Sequence, residues 1–359
     1  MPRAVGLRMP AFCLLWLAVL LGACSQAPEL VENNDPSRYS LASDVLWSSP
    51  DGTALTMDIY TPKAAAGSGP APVLVMFHGG GWLVNDKSIM RQSAAYLATH
   101  GRYVICNVNY RLLGDQGNTV TLDEIVEDAM GAVLWVQENI ARFGGDPAQV
   151  AVTGDSAGGH LSAMVVNSGT RLSASGIRGE SPGFTPSYLP PGRTAESVRE
   201  AGGIRVQAAI LSYGAFDIEA LARAGFESWS NVFWLMGGAV PRGVFGDDIS
   251  IESHPHLYRL VSPAANIPAV AERQLPPQLL TVGTEDTLTT PALVGAYAQA
   301  LRDAGQPVAY WEHDGRPHAF LDAGSNAVLG IRFEDDAPPA LAKMLQFLDS
   351  VFDPAVNAP

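Results

Sequence analysis

The sequence contains few cysteines and few basic residues. Its 359 residues include 3 cysteines, and 22 lysines and arginines face 36 aspartates and glutamates, for a formal net charge of −14. This excess of negative charge argues against nucleic acid as a partner and provides no polybasic patch for a membrane surface. Two of the cysteines, Cys13 and Cys24, lie near the N-terminus. Cys106 therefore has no disulfide partner in the body of the chain and is expected to be a small buried hydrophobe.

Long apolar runs are also scarce, and the clearest one lies near the N-terminus. The segment Ala11–Leu21 is apolar and follows Arg3 and Arg8, the only charged residues before Glu29. It is too short to be read as a membrane-spanning helix, and a positive start followed by a short apolar stretch is typical of a signal peptide. We therefore predict that residues 1–23 form a signal peptide and that the protein is exported.

The end of this run resembles the bacterial lipobox. Leu21-Gly22-Ala23 places small residues directly before Cys24. The resemblance implies that Cys24 is lipidated, becomes the mature N-terminus and tethers the protein to a membrane. Ser25 follows this cysteine, which resembles sorting to the outer membrane if the organism is Gram-negative. Ordinary secretion or a periplasmic location, with Cys24 unmodified, is the alternative.

The remaining chain divides into a tether and one folded domain. Residues 24–44 include two prolines and two adjacent asparagines and predict a tether, whereas residues 45–355 hold the apolar segments of a single domain. With 47% hydrophobic and 16% charged residues, the chain can bury a sizeable core.

Apolar strands and amphipathic helices alternate along this domain. Buried strands are predicted at 72–77, 103–108 and 150–153, and helices at 88–99 and 122–143. The alternation predicts an α/β fold in which helices cover both faces of a mostly parallel central sheet. Two long segments, 169–205 and 220–262, interrupt the alternation and are predicted to form lid loops.

A strand–turn–helix junction around Ser156 carries the strongest chemical signal. Gly154-Asp155-Ser156-Ala157-Gly158 fits the pattern G-x-S-x-G, in which glycines relieve crowding in a turn that presents a serine at a helix N-terminus. Such a serine can act as a nucleophile, and the free N–H groups of the helix suit a developing oxyanion. In the alternative interpretation, Ser156 is only a helix N-cap. Asp155 is expected to hold the turn in place.

A second glycine-rich motif precedes the first. His78-Gly79-Gly80-Gly81-Trp82 follows the predicted strand at 72–77. Together, H-G-G-G-W and G-D-S-A-G-G resemble the α/β-hydrolase superfamily, and within it the hormone-sensitive-lipase-like and feruloyl- or acetyl-esterase-like groups. The resemblance implies an α/β-hydrolase fold, an oxyanion hole made by the N–H groups of Gly79, Gly80 and Ala157, and an ordering role for His78.

The same resemblance implies that an acid and then a histidine follow the serine along the chain. It places the acid at Asp286, with Glu285 and Asp217 as alternatives. His318 lies in the loop after the last predicted strand, where a base can reach the serine, and is favoured over His313.

These motifs imply hydrolysis of a carboxylic ester through an acyl-enzyme, with a small or medium acyl ester or a polysaccharide ester as substrate. An amidase or arylformamidase on the same scaffold is the first alternative, and a non-catalytic binding module is the second. No cofactor or metal is expected, because His254 and His256 have no third ligand nearby. The residues predicted to line the substrate pocket are Trp82, Asp155, Trp229 and Phe233.

Overall fold

The structure is a computed structural model that describes residues 37–63 and 69–353. The predicted signal peptide, the predicted lipidation site Cys24 and the first part of the predicted tether lie outside the described residues. Within the described ranges, no helix has the length and the apolar character needed to cross a membrane.

The described residues build one eight-stranded sheet. Its strands are β1 (Tyr39–Ser48), β2 (Leu55–Pro62), β3 (Ala71–Phe77), β4 (Val104–Val108), β5 (Gly145–Asp155), β6 (Ala208–Ser212), β7 (Gln278–Gly283) and β8 (Val308–His313). They lie in the order β1-β2-β4-β3-β5-β6-β7-β8; β2 pairs antiparallel with both of its neighbours, and the pairs from β4 to β8 are parallel. The predicted α/β class with a mostly parallel sheet is confirmed.

Helices alternate with these strands and bury them. They are α1 (Arg91–His100), α2 (Leu122–Asn139), α3 (Ala157–Ser168), α4 (Ala195–Glu200), α5 (Ile218–Arg223), α6 (Val232–Met236), α7 (Pro255–Leu260), α8 (Pro291–Asp303) and α9 (Phe333–Phe352). Every residue of β3, β4, β6 and β7 is buried. These strands read as continuous apolar runs because both faces of a parallel sheet are covered. A short antiparallel pair, β9 (Ser325–Asn326) and β10 (Ile331–Arg332), precedes α9.

The folded body begins earlier than predicted, because β1 starts at Tyr39 and not at Val45. Half of the residues of this edge strand are exposed, and its pairing with β2 is irregular between Ala42 and Val45, where Asp44 adopts a φ of 52°. An exposed, bulged edge strand lacks the strict alternation that identifies a strand in sequence. The boundary of the predicted tether at residue 44 is therefore corrected.

The two long insertions occupy different places. Residues 169–205 pack beside α2 and the sheet edge, where the N–H groups of Thr185 and Ser187 donate to Glu127 and the carbonyl of Ser187 accepts from Ser48. No residue of this insertion lines the cavity at Ser156. Residues 220–262 supply one wall of that cavity.

Candidate active site

Ser156 lies in a strained turn between β5 and α3. Its φ of 51° and ψ of −113° are unusual for a residue other than glycine. The flanking glycines are required, because a Cβ at Gly154 would collide with the backbone of Gly158, and a Cβ at Gly158 would collide with the carbonyl of Phe77. The local sequence thus produces the predicted turn, with the serine at the N-terminus of a buried twelve-residue helix.

The fold brings Ser156, His318 and Asp286 together. His318 follows β8, and its Nε2 lies 3.0 Å from the Oγ of Ser156. Its Nδ1 lies 2.7 Å from Oδ2 of Asp286, which follows β7. With Nδ1–H donating to the carboxylate, the lone pair of Nε2 is free to accept the serine proton. This arrangement is the geometry that activates a serine nucleophile.

The carboxylate of Asp286 is held by neighbouring backbone groups. Its side chain is fully buried, and Oδ1 accepts from the N–H groups of Leu288 at 2.8 Å and Thr289 at 2.9 Å. Oδ2 is thereby left to face His318, and the Oγ1 of Thr289 lies 3.1 Å from it. The acid is fixed in the orientation that orients the imidazole.

The other residues considered for the acid, the base and a metal site have different surroundings. Glu285 is exposed, and Asp217 caps α5 by accepting from the N–H of Ala220 at 2.9 Å. His313 Nε2 lies 2.9 Å from the carbonyl of Asp336, and His254 Nδ1 lies 2.8 Å from the Oγ of Ser253. Within the part of the chain that the structure describes, no group of three or more His, Cys, Asp or Glu could hold a metal ion.

The loop that starts at His78 packs next to the serine. The buried His78 ring stacks on Tyr110 with centroids 4.3 Å apart, and its Nδ1 lies 2.7 Å from the carbonyl of Gly79. The hydroxyl of Tyr110 donates to the carbonyl of His78 at 2.6 Å. Burial lowers the pKa of His78 to about 4, so this histidine stays neutral and orders the loop.

The glycines of the H-G-G-G-W motif contact different neighbours. The backbone of Gly79 hydrogen-bonds to the carboxylate of Asp155, and a Cβ at Gly79 would collide with that carboxylate. Gly79 therefore supports Asp155, whereas Gly81 and Ala157 line the cavity at Ser156. Gly81 belongs to the same motif but was not among the predicted site residues. The sequence alone does not show which of the three glycines hydrogen-bonds to the Asp155 carboxylate.

Asp155 is buried and lies outside the cavity lining, contrary to its prediction as a pocket residue. Burial raises its pKa to about 6, while the nearby His318 and the backbone of Gly79 act in the opposite direction. Trp229 was also predicted to line the pocket, but it is 69% exposed and is not part of the lining. A tryptophan in a loop gives no sequence signal for the direction of its side chain.

A small cavity of about 230 Å³ opens onto the serine. Trp82 and Phe233, both predicted pocket residues, line it together with side chains that the sequence did not single out. Its full lining is Gly81, Trp82, Ser156, Ala157, Ala215, Leu221, Ala224, Gly225, Phe226, Ser230, Asn231, Phe233, Leu288, Thr289 and His318. Trp82 is buried edge-on against Phe226, with centroids 5.5 Å apart. The walls are mainly apolar, which suits the hydrocarbon part of a small molecule.

Known proteins resemble this chain in sequence and in fold. Esterase LipQ of Mycobacterium tuberculosis is 28% identical over 285 residues, which cover 79% of this chain and 58% of LipQ. The probable carboxylic ester hydrolase LipM of the same organism is 29% identical over 276 residues, which cover 76% of this chain and 55% of LipM. The chain thus spans little more than half the length of these curated relatives.

A solved structure shares the fold. Thermogutta terrifontis esterase 2, in its apo form, superposes with a TM-score of 0.59 at 23% identity and covers 92% of this chain and 100% of its own. This similarity shows the α/β-hydrolase fold. The model of the BD-FAE family matches residues 57–293, which include the H-G-G-G-W motif, Ser156 and Asp286. The chain therefore belongs to the BD-FAE family.

Proposed function

We propose that the protein is a serine carboxylic-ester hydrolase whose nucleophile is Ser156. The observation that carries the proposal is the hydrogen-bonded series from Ser156 through His318 to Asp286, with distances of 3.0 and 2.7 Å, at the edge of an apolar cavity. The names of the esterases similar to this chain support the same reaction class.

In the proposed first step, Ser156 Oγ attacks the ester carbonyl while His318 Nε2 takes the hydroxyl proton. The C–O bond to the alcohol then breaks, and His318 gives the proton to the leaving alkoxide. An acyl-serine remains. Water then attacks the acyl-serine ester while His318 takes a proton from the water. The bond between the acyl carbon and Ser156 Oγ breaks, His318 returns the proton to Ser156, and the carboxylic acid leaves. Asp286 keeps the ring oriented and stabilises the imidazolium in both steps.

We further propose that the N–H groups of Gly80, Gly81 and Ala157 stabilise the oxyanion. Ala157 is the first residue of α3, where N–H groups lack partners within the helix. Gly80 and Gly81 have positive φ values of 119° and 59°, conformations that let consecutive amides turn toward one side. Each such donor is worth about 3 kcal/mol in transition-state stabilisation.

The experiment is hydrolysis of p-nitrophenyl butyrate, together with labelling by a fluorophosphonate that is mapped by mass spectrometry. We expect label on Ser156 in the wild type, and a loss of kcat of about 10⁴-fold or more in Ser156→Ala. Ser253→Ala is the matched control, because Ser253 also contacts a histidine, at 2.8 Å, but is exposed and is not part of the cavity lining.

Each other outcome points to a different function. Equal rates for wild type and Ser156→Ala would overturn the proposal. Faster turnover of a matched aryl formamide than of the ester would favour the amidase alternative. A folded wild type that takes no label and hydrolyses neither substrate would favour the binding module.

We also propose that the domain is tethered to a membrane through a lipid on Cys24. The support is the Leu21-Gly22-Ala23-Cys24 motif at the end of a predicted signal peptide. Metabolic labelling with a fatty acid should mark the wild type and not Cys24→Ala. Label that persists in the variant would contradict the proposed anchor and favour ordinary secretion.

A further inference from the structure

We propose that Thr289 is a positioning residue that holds the imidazole of His318 in its reactive orientation. The proposal rests on the proposed function of Ser156. Thr289 lies in the loop between β7 and α8, three residues after Asp286, and belongs to neither glycine-rich motif.

Thr289 contacts both partners of the serine. Its backbone N–H donates to Oδ1 of Asp286 at 2.9 Å. Its hydroxyl oxygen lies 3.1 Å from Oδ2 of Asp286 and 3.2 Å from Nδ1 of His318. The carbonyl oxygen of Tyr213 is closer, at 2.8 Å. One side chain thus meets the carboxylate, the imidazole and a fixed backbone oxygen.

The direction of the hydroxyl proton follows from the chemistry of these neighbours. A threonine hydroxyl has one proton to donate and lone pairs that accept, whereas a carbonyl can only accept. The Tyr213 carbonyl is the nearest of the three partners, so we assign the hydroxyl proton to it. The lone pairs of Oγ1 then face the Nδ1–H of His318, which already donates to Asp286 at 2.7 Å.

A ring N–H held between two oxygens resists rotation of the ring. The first oxygen belongs to Asp286 and the second to Thr289, and both lie on the side of the ring opposite to Ser156. Rotation would lengthen the 3.0 Å contact between Nε2 and the serine oxygen. Because proton transfer depends steeply on such alignment, the second acceptor is expected to raise kcat.

The carbonyl that orients Thr289 is itself fixed. Tyr213 is fully buried, and its N–H donates to the carbonyl of Thr281 in β7 at 2.6 Å. Its ring meets His318 edge-on, with centroids 4.8 Å apart, and meets Phe320 at 4.7 Å. Tyr213 also has a φ of 37°, a strained conformation held by these contacts. The orientation of Thr289 is therefore set by the sheet and not by a mobile loop.

The test compares Thr289→Val, Thr289→Ser and Thr290→Val on p-nitrophenyl butyrate. Valine keeps the branched shape but removes the hydroxyl, so we expect kcat to fall about tenfold while KM stays within about twofold. Serine retains the hydroxyl and should recover most of the wild-type kcat. Thr290→Val is the matched control, because Thr290 caps α8 through a 3.4 Å contact with the N–H of Leu293.

Several results would overturn the inference while leaving the proposed function intact. One is an unchanged kcat in Thr289→Val when Ser156→Ala is inactive. Another is a rise in KM alone, which would make Thr289 a substrate contact. A third is a larger loss in the serine variant than in the valine variant, which would indicate a packing role of the methyl group, because valine keeps that methyl and serine lacks it. If Thr289→Val is unstable by thermal unfolding, Thr289→Ala is compared with Thr289→Ser, from which it differs only by the hydroxyl. Activity that persists in Ser156→Ala would instead overturn the proposed function.

Discussion

The Oγ of Ser156 and the Nε2 of His318 lie 3.0 Å apart, although 162 residues separate them in the chain. The serine follows β5 and the histidine follows β8, and two further strands lie between these in the sheet. The carboxyl ends of parallel strands share one edge of a sheet, so residues that follow different strands can meet there. The hydrogen bond therefore forms because the order of the strands brings the ends of β5 and β8 to the same edge of the sheet.

We expect Asp286→Asn to lower kcat about 10³- to 10⁴-fold with little change in stability. An amide in place of the carboxylate can favour the wrong tautomer of His318 and cannot stabilise the imidazolium. The measurement is steady-state hydrolysis of p-nitrophenyl butyrate. Glu285→Gln is the control, because Glu285 is adjacent, acidic and exposed, and it should keep wild-type kinetics. A larger loss in Glu285→Gln than in Asp286→Asn would reverse the assignment of the acid.

Phe233→Ala should shift activity toward longer acyl chains. Phe233 is half-buried, lines the 230 Å³ cavity and stands over Gly81, so its removal enlarges the space available to the acyl group. We expect the ratio of kcat/KM for p-nitrophenyl octanoate to that for the acetate to rise about tenfold, since each buried methylene is worth about 0.8 kcal/mol.

The control for this change is Leu235→Ala on the same helix. Leu235 is 54% exposed and is not part of the cavity lining, so its variant should keep the wild-type chain-length profile. Identical profiles for all three proteins would show that the acyl group does not occupy the cavity beside Phe233.

The free energy of unfolding should fall as the pH is lowered from about 6.5 to about 4. Burial lowers the pKa values of His78 and His160 to about 4, from 6.5 in an unfolded chain. Below pH 6.5 these two histidines bind protons in the unfolded chain, whereas in the folded protein they stay neutral down to about pH 4. Each histidine therefore removes up to about 3 kcal/mol of stability across this window.

Asp155 has the opposite effect on the free energy of unfolding. Burial raises its pKa to about 6, so the folded protein keeps this proton between about pH 4 and 6 and gains stability as the pH falls through this range. Urea unfolding at pH 7 and at pH 5 measures the net effect. His160→Gln should show a smaller loss between these two pH values than the wild type. An unchanged loss in that variant would contradict the role given to His160.

The buried pair of Arg111 and Asp128 should be important for stability. The guanidinium donates to the carboxylate from Nε at 2.9 Å and from Nη2 at 2.9 Å, and the Asp128 side chain is fully buried. Arg111→Met leaves this charge without its partner and should cost about 3–5 kcal/mol. The double variant Arg111→Met with Asp128→Asn should recover part of the loss, as measured by urea unfolding.

An exposed ion pair provides the comparison. Arg223 donates to Glu219 at 2.9 Å, and its side chain is half exposed. Arg223→Met should change the free energy of unfolding by less than about 1 kcal/mol. Equal losses of unfolding free energy in Arg111→Met and Arg223→Met would mean that the buried pair contributes no more to stability than the exposed pair.

Much of the fold could be predicted from short segments. The β3 segment reads as a continuous apolar run because it is covered on both faces, and the predicted strand matches it closely. In contrast, the domain was predicted to begin at Val45, after the true start of β1 at Tyr39, because an exposed and bulged edge strand follows no clean alternation. The start of α9 at Phe333 has no local signal either, because Pro338 and Pro339 lie inside this helix and prolines normally end a helical pattern.

The sequence by itself determined the turn at Ser156. Gly154 and Gly158 are needed there by contacts with adjacent backbone, and such contacts act over a few residues. The tertiary structure alone decided which glycine amide Asp155 occupies, which residues line the cavity, and that Thr289 meets His318. These features depend on segments that are distant in the chain and converge at one edge of the sheet, and no local pattern records that convergence.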